Sequence, residues 1–105
     1  MDLLMMRHAE ACGLGGDIQS DRDRTLTDRG IEQMESIFSQ LSDKRAVIDA
    51  IVCSPYVRCV QTAVHLGQRF GLAEVYPNPI LAPFGGVPDI GPILDQFLKK
   101  SLLLV

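Results

Sequence analysis

Short apolar runs alternate with segments of helical periodicity along this chain of 105 residues. The first run, Leu3 to Met6, ends in Arg-His and predicts a strand buried on both faces, as in a parallel sheet. Ala50 to Cys53 predicts a second buried strand, Glu74 to Tyr76 a brief third one, and Leu102 to Val105 a fourth. Helical segments separate these runs, so the pattern predicts a three-layer α/β/α fold with right-handed crossovers and a mostly parallel sheet.

Three segments have the spacing of helices. Thr27 can cap the first helix, and Ser54-Pro55 separates the second strand from a second helix that has Arg58 in its first turn. A third helix follows a Pro/Gly-rich loop over residues 77–88. The apolar positions that mark the three helices are, in order, Ile31, Met34, Ile37, Phe38 and Leu41; Val57, Val60 and Val64; and Ile93, Leu94, Phe97 and Leu98. The stripe of the first helix is predicted to pack into the core.

Residues 12–26 predict a solvated loop, because they contain three glycines and a run of four charged residues, Asp21 to Arg24. Charge runs of this kind usually lie on a wet surface. We therefore expect these four side chains to face solvent.

Composition excludes several classes of protein. The formal net charge is −3 and basic runs are missing, which disfavours nucleic acid as a partner. No apolar run is long enough to span a bilayer, so we expect no membrane partner. The cysteines are three in number, an odd count that favours reduced thiols and a cytoplasmic location over a disulfide framework.

Four segments carry a family resemblance. LLMMRHAEA at Leu3 to Ala11 resembles the strand and Arg-His signature of the histidine phosphatase superfamily. RTLTDRG at Arg24 to Gly30, CSPYVRCVQTA at Cys53 to Ala63 and LAPFGG at Leu81 to Gly86 follow in the family's order. Within the superfamily, the chain is most similar to small phosphohistidine phosphatases of the SixA type. The resemblance implies a phosphoglycerate mutase-like fold and a single domain, the N-terminal portion of a histidine phosphatase domain, over residues 1–105.

The resemblance also implies a site and a reaction. His8 is expected to attack phosphorus and form a phosphohistidine intermediate, with neither a metal nor another cofactor. Arg7 and Arg58 are expected to bind the phosphoryl oxygens, because a planar, permanently charged guanidinium can grip two oxygens at once. Glu10 and Ser54 are accessory candidates. The implied substrate is a protein that carries phosphohistidine.

Two departures from the family pattern affect this expectation. Residues 75–105 lack a Glu, whereas branches that act on phosphomonoesters place a general acid there, so a leaving group that needs little protonation, such as imidazole, is favoured. The family's second His follows the last apolar strand, and the sequence ends at Val105, where that motif should begin. The alternative function is therefore a catalytically impaired domain that binds phosphate or phosphohistidine. We also expect homo-oligomers through an exposed strand edge.

Two other chemistries fit less well. Cys53 and Arg58 are separated by four residues instead of the five of cysteine phosphatases, and Pro55 removes one N–H from the required cradle. His8-Ala9-Glu10 matches half of a zinc deaminase motif, but the matching Pro-Cys-x-x-Cys is missing. His65, the only other histidine, matches no motif and is expected to be structural.

Overall fold

The computed structural model describes residues 3–72, 74–83, 89–97 and 100–105 of the chain. Strands and helices alternate in it, as the apolar pattern predicts. Short 3-10 turns occur at Asp21–Asp23 and Pro79–Leu81. The main elements are β1 (Leu3–Met5), α1 (Asp28–Asp43), β2 (Ala50–Cys53), α2 (Val57–Arg69), β3 (Tyr76–Pro77), α3 (Gly91–Gln96) and β4 (Leu102–Leu104).

The four strands form one parallel sheet in the order β1-β4-β2-β3. Leu103 of β4 is in register with Leu4 on one side and Ile51 on the other, so the last strand lies in the middle of the sheet. Because the strands are parallel, the carboxyl ends of β1, β4 and β2 meet at one edge. The residues that follow β1 and β2 are those that the motifs single out, and this edge is where ligands usually bind in open α/β sheets.

Each face of the sheet has its own hydrophobic cluster. Alternate side chains such as Ile51 and Leu103 pack under α1 and α2, together with the fully buried Met34. The intervening side chains of β2 and β4 pack on the other face against α3, whose Ile93 is also fully buried. This arrangement confirms the predicted three-layer α/β/α architecture.

The prediction that β1 is buried on both faces is wrong. Leu3 is 39% exposed and Met5 is 70% exposed, while Leu4 packs against the core. The reason is the strand order: β1 is an edge strand, and the cluster around α3 covers β2 and β4 without including Leu3 or Met5.

The apolar stripe of α1 is confirmed only in part. Met34 is buried and Ile37 and Phe38 pack against the core, but Ile31 is 43% exposed. The first turn of α1 contacts the polar loop that follows His8, and Ile31 lines a groove between α1 and α2.

Other predictions have simpler outcomes. Thr27 caps α1, since its hydroxyl accepts the Gly30 N–H at 3.0 Å. Cys12, Cys53 and Cys59 are free thiols, as expected.

Residues 84–88 and 98–99, which include part of the predicted loop and Leu98, lie outside the described residues. Within the described ranges, no helix is both long and apolar enough to cross a bilayer.

Candidate active site

The end of β1 and the first turn of α2 bring His8 and Arg58 into direct contact. The Arg58 Nε–H donates to His8 Nε2 at 3.2 Å. Arg58 is only 8% exposed, although it lies in the first turn of a helix that begins directly after the buried β2. Ser54-Pro55 turns the chain between the two elements, and this turn sends the second residue of α2 back over the sheet edge.

The hydrogen bonds of His8 define its neutral tautomer. Its Nδ1 lies 2.6 Å from the backbone oxygen of Ala9, which can only accept, so Nδ1 carries the proton and donates it. Its Nε2 then holds the free lone pair, which matches the N–H that Arg58 directs at it. The imidazole is therefore oriented with the unprotonated Nε2 directed at Arg58.

Thr62 holds the backbone next to His8. Its hydroxyl oxygen accepts the Ala9 N–H at 3.2 Å and its proton goes to the backbone oxygen of Arg58 at 2.7 Å. Thr62 is fully buried and Ala9 is 4% exposed. One buried hydroxyl thus connects the segment that carries His8 to the helical turn that carries Arg58.

The helix α1 supports the same loop from the other side. A Cβ on Gly30 would fall well inside contact distance of the Glu10 backbone oxygen, so only glycine permits this approach. The Glu10 backbone is also bonded at both ends, because its N–H donates to Gln33 at 2.9 Å and its oxygen accepts from the Thr27 N–H at 3.0 Å. These contacts fix the path of the chain after His8.

A carboxylate from the 12–26 loop lies on Arg58. Asp21 accepts twice from this guanidinium: its backbone oxygen lies 2.7 Å from Nη1 and its Oδ2 lies 3.2 Å from Nη2. Its Oδ1 lies 3.0 Å from Nη1 of Arg24. Hydrogen bonds from Arg24 and then Arg58 lower the pKa of the Asp21 carboxyl below its ordinary value. The expectation that the charged run faces solvent is wrong for Arg24, which is partly buried. Asp21 is exposed as expected, but it also pairs with two arginines.

The other predicted site residues occupy different places. Arg7 is exposed and lines, with His8, a cavity of about 380 Å³. Within the described ranges no carboxylate forms an ion pair with Arg7, so its charge is available to a ligand. Glu10 is exposed and pairs with Arg29 at 3.5 Å. Ser54 is buried, and its hydroxyl accepts the Tyr56 N–H at 3.2 Å, at the start of α2.

The cysteines do not have the properties of a nucleophile at this edge. Burial, and next the neighbouring Cys59, raise the pKa of the Cys53 thiol from 9.0 to about 11. Burial also raises the pKa of Cys59, although a hydrogen bond with Ser54 opposes the shift. A cysteine phosphatase needs a thiolate of low pKa, so these shifts disfavour that chemistry at Cys53.

His65 belongs to a separate cluster between the helices. Its Nε2 lies 2.7 Å from Oε1 of Glu35, whose other oxygen pairs with Arg69 at 3.1 Å. His65 also borders a second cavity, of about 310 Å³, which is lined neither by His8 nor by Arg58. These contacts join α1 to α2 and agree with the expected structural role of His65.

Sequence reasoning missed Thr62, Asp21 and Arg24. A signal existed for Thr62, because it follows Arg58 by four positions and so shares its face of the helix. The contact between Asp21 and Arg58 spans 37 positions and depends on the path of an irregular loop. No local pattern could have found it.

Comparisons with known proteins point to one family. Residues 3–83 match the family model of the histidine phosphatase superfamily (branch 1). The chain is 32% identical over 108 residues to the phosphohistidine phosphatase SixA of Escherichia coli (strain K12), and the match covers all of this chain and 64% of that protein. The chain thus spans a little under two thirds of that relative's length.

Solved structures show the same likeness. The protein histidine phosphatase SixA complexed with tungstate superposes with a TM-score of 0.80 and 26% identity, over 99% of this chain and 67% of that one. The putative phosphohistidine phosphatase SixA from Agrobacterium tumefaciens superposes with a TM-score of 0.78 and 26% identity, over 98% of this chain and 65% of that one.

Proposed function

Since the chain belongs to the histidine phosphatase superfamily, we propose that it hydrolyses a phosphoryl group through a phosphohistidine intermediate on His8. The observation that carries the proposal is the oriented imidazole: Nδ1 donates to the Ala9 oxygen at 2.6 Å, which leaves the Nε2 lone pair for phosphorus. Nε2 attacks phosphorus, the bond to the leaving group breaks, and water then releases phosphate from the imidazole.

The two motif arginines stabilise the transferred group. Arg58 is within hydrogen-bond distance of Nε2, so a phosphoryl group on that atom lies next to its guanidinium. Arg7 lines the same cavity as His8 and contributes a second charge. Neither role needs a metal, because fixed cations can supply the charge that the three phosphoryl oxygens require.

The proposed substrate is phosphohistidine on a protein. The Escherichia coli relative named above is a phosphohistidine phosphatase, and residues 75–105 contain no Glu to protonate a poor leaving group. Imidazole is a good leaving group and needs little assistance. Glu10 and Ser54 act as accessory residues that shape the loop and the turn around the nucleophile.

Phosphate release tests this proposal directly. A histidine-phosphorylated protein and an aryl phosphate ester are offered separately to the unaltered chain and to the variants His8→Ala, Arg58→Ala and His65→Ala. We expect faster release from phosphohistidine, loss of release in His8→Ala, and a decrease on the order of a hundredfold or more in Arg58→Ala. His65→Ala is the matched control and should retain the unaltered rate. Faster ester hydrolysis, or release that survives His8→Ala, would refute the proposal.

A second candidate function is binding of phosphate or phosphohistidine without turnover. The position of the other histidine in residues 1–105 favours it. His65 pairs with Glu35 and does not line the cavity beside His8, so it gives His8 no second histidine at that cavity. A chain that binds a phosphohistidine protein in a manner that depends on Arg58, but releases no phosphate, would identify this function.

Self-association through the edge strand β1 also remains a proposal. It is supported by the exposed Leu3 and Met5, which lie on one face of that strand. Sedimentation of the chain beside a Met5→Lys variant tests it. A monomer in both cases would exclude the contact.

A further inference from the structure

The carboxylate of Asp21 occupies a position between two guanidinium groups. Its Oδ2 lies 3.2 Å from Nη2 of Arg58 and its Oδ1 lies 3.0 Å from Nη1 of Arg24. Two arginines thus hold two oxygens of one anion, as they would hold two oxygens of a phosphoryl group. Arg58 also contacts Nε2 of His8, so this anion and the proposed nucleophile bind the same guanidinium.

Arg24 is held in place independently of the carboxylate. Its Nε–H donates to the Cys12 backbone oxygen at 2.6 Å. The chain around Cys12 is in turn paired with the segment after Arg24, through the Cys12 N–H and the Thr25 oxygen at 2.8 Å and the bridge between Ala11 and Leu26. The guanidinium therefore keeps its position when the carboxylate leaves.

The carboxylate itself is free to leave. The Asp21 side chain is 50% exposed, against 9% for that of Arg58. Ion pairs with so exposed a partner contribute little, because water solvates the separated carboxylate. The buried Arg58 guanidinium, in contrast to the exposed carboxylate, is costly to leave without an anion. A phosphoryl group can take the place of the carboxylate and keep this guanidinium paired with a negative charge.

From these contacts we infer that Asp21 is an internal anion that competes with the phosphoryl group, and that Arg24 is a third guanidinium that binds phosphoryl oxygens. The inference rests on the proposed function, since it locates the phosphoryl group at Nε2 of His8. Binding requires the Asp21 side chain to swing into solvent, after which Arg24 and Arg58 bind the oxygens of the ligand. Asp21 thereby lowers the affinity for free phosphate and favours ligands that make further contacts.

Titration with tungstate, an inorganic oxyanion, tests the competition. Removing the charge with Asp21→Asn should tighten tungstate binding by roughly three- to thirtyfold, the combined worth of two ion pairs that share a half-exposed carboxylate. The gain should shrink as salt is added, because the competing charge is exposed. Arg24→Gln should weaken binding in both the unaltered and the Asp21→Asn background.

The same turn provides matched controls. Asp23 and Arg22 are its other charged residues, and Asp23 accepts from the Ser20 hydroxyl at 3.0 Å instead of from an arginine. Asp23→Asn and Arg22→Gln should leave tungstate affinity unchanged. Far-UV circular dichroism establishes that each variant is folded, and Asp21→Ala serves as a second variant should Asp21→Asn be unfolded.

The outcomes separate this inference from the proposed function. Equal or weaker binding by folded Asp21→Asn overturns the competition, and an unchanged affinity in Arg24→Gln removes Arg24 from the pocket. Absence of tungstate binding in both the unaltered chain and Asp21→Asn also overturns the inference. Failure of the proposed function would appear elsewhere, as absence of phosphoryl transfer to His8 while tungstate binding still responds to Asp21.

Discussion

Replacing Thr62 with valine should disturb the site without touching a residue that contacts phosphate. Valine has nearly the same shape as threonine and has a methyl group in place of the hydroxyl. In the folded chain this hydroxyl accepts the Ala9 N–H at 3.2 Å, in a position where Thr62 is fully buried and Ala9 is 4% exposed. The Ala9 N–H would then be buried without an acceptor.

The magnitude follows from this single lost partner. A buried donor left unsatisfied costs about 1–3 kcal/mol of unfolding free energy. The Arg58 oxygen loses less, because it still accepts the backbone N–H four positions later in α2. For a domain of this size, each kcal/mol lowers the melting temperature by about 4–8 °C. Since the oxygen of the same Ala9 residue orients His8, phosphoryl transfer should slow as well.

Thr62→Ser is the matched control, because it keeps the hydroxyl and removes a methyl group. Denaturant unfolding and phosphate release are measured for both variants. We expect Thr62→Ser to remain close to the unaltered chain in phosphate release, and Thr62→Val to lose stability and rate together. If Thr62→Val is as stable and as active as the unaltered chain, the hydroxyl does not hold the loop and the reasoning is refuted.

Four further predictions concern other parts of the molecule. Gly30→Ala should lower the free energy of unfolding by about 1–3 kcal/mol, as overpacking does, because the new Cβ meets the backbone of the loop after His8. Gly13→Ala, where a Cβ has open space, is the control and should not destabilise the chain; denaturant unfolding of both variants checks this. The pKa of the Cys53 thiol is about 11 in the folded chain and 9.0 in the unfolded chain, so the thiol contributes fully to stability below pH 9 and the contribution is lost as the pH rises through 11. The fall in unfolding free energy over this pH range should be smaller in Cys53→Ala. At neutral pH iodoacetamide should modify Cys12, whose pKa the Thr25 hydroxyl lowers, well before Cys53, and mass spectrometry gives the order. Arg58→Lys should lose most of the activity despite keeping the charge, because an ammonium cannot reproduce the fork, and full activity in that variant would contradict the assigned contacts.

Much of the fold follows from local pattern. Ala50 to Cys53 forms a strand because an apolar run this short between turn signals is typical of a buried parallel strand. Arg58 lies in the first turn of α2 because Pro55 ends the preceding strand and the helix begins directly afterwards. Of the three residues that the motifs assign to chemistry, His8 and Arg58 therefore meet. Arg7 lines a cavity with His8 that Arg58 does not border, so the convergence of the two arginines stays a prediction.

The remainder depends on tertiary arrangement that local pattern does not contain. The exposure of Met5 follows from strand order, since β1 lies at the edge of the sheet and the cluster around α3 does not reach it. Asp21 reaches Arg58 only because an irregular loop folds back across the sheet edge. Its charge alone indicated a solvated surface residue, as it does for Asp23.

The position of the phosphoryl group on the protein tests the central claim most directly. The chain is mixed with a phosphohistidine protein, quenched in base to preserve acid-labile phosphohistidine, and digested, and the two phosphohistidine isomers are separated and assigned by mass spectrometry. The tautomer of His8, with Nδ1 donating to Ala9 at 2.6 Å, predicts the isomer phosphorylated on Nε2 of His8 and its disappearance in His8→Ala. A phosphoryl group on Nδ1, on His65 or on Cys53 would contradict the account.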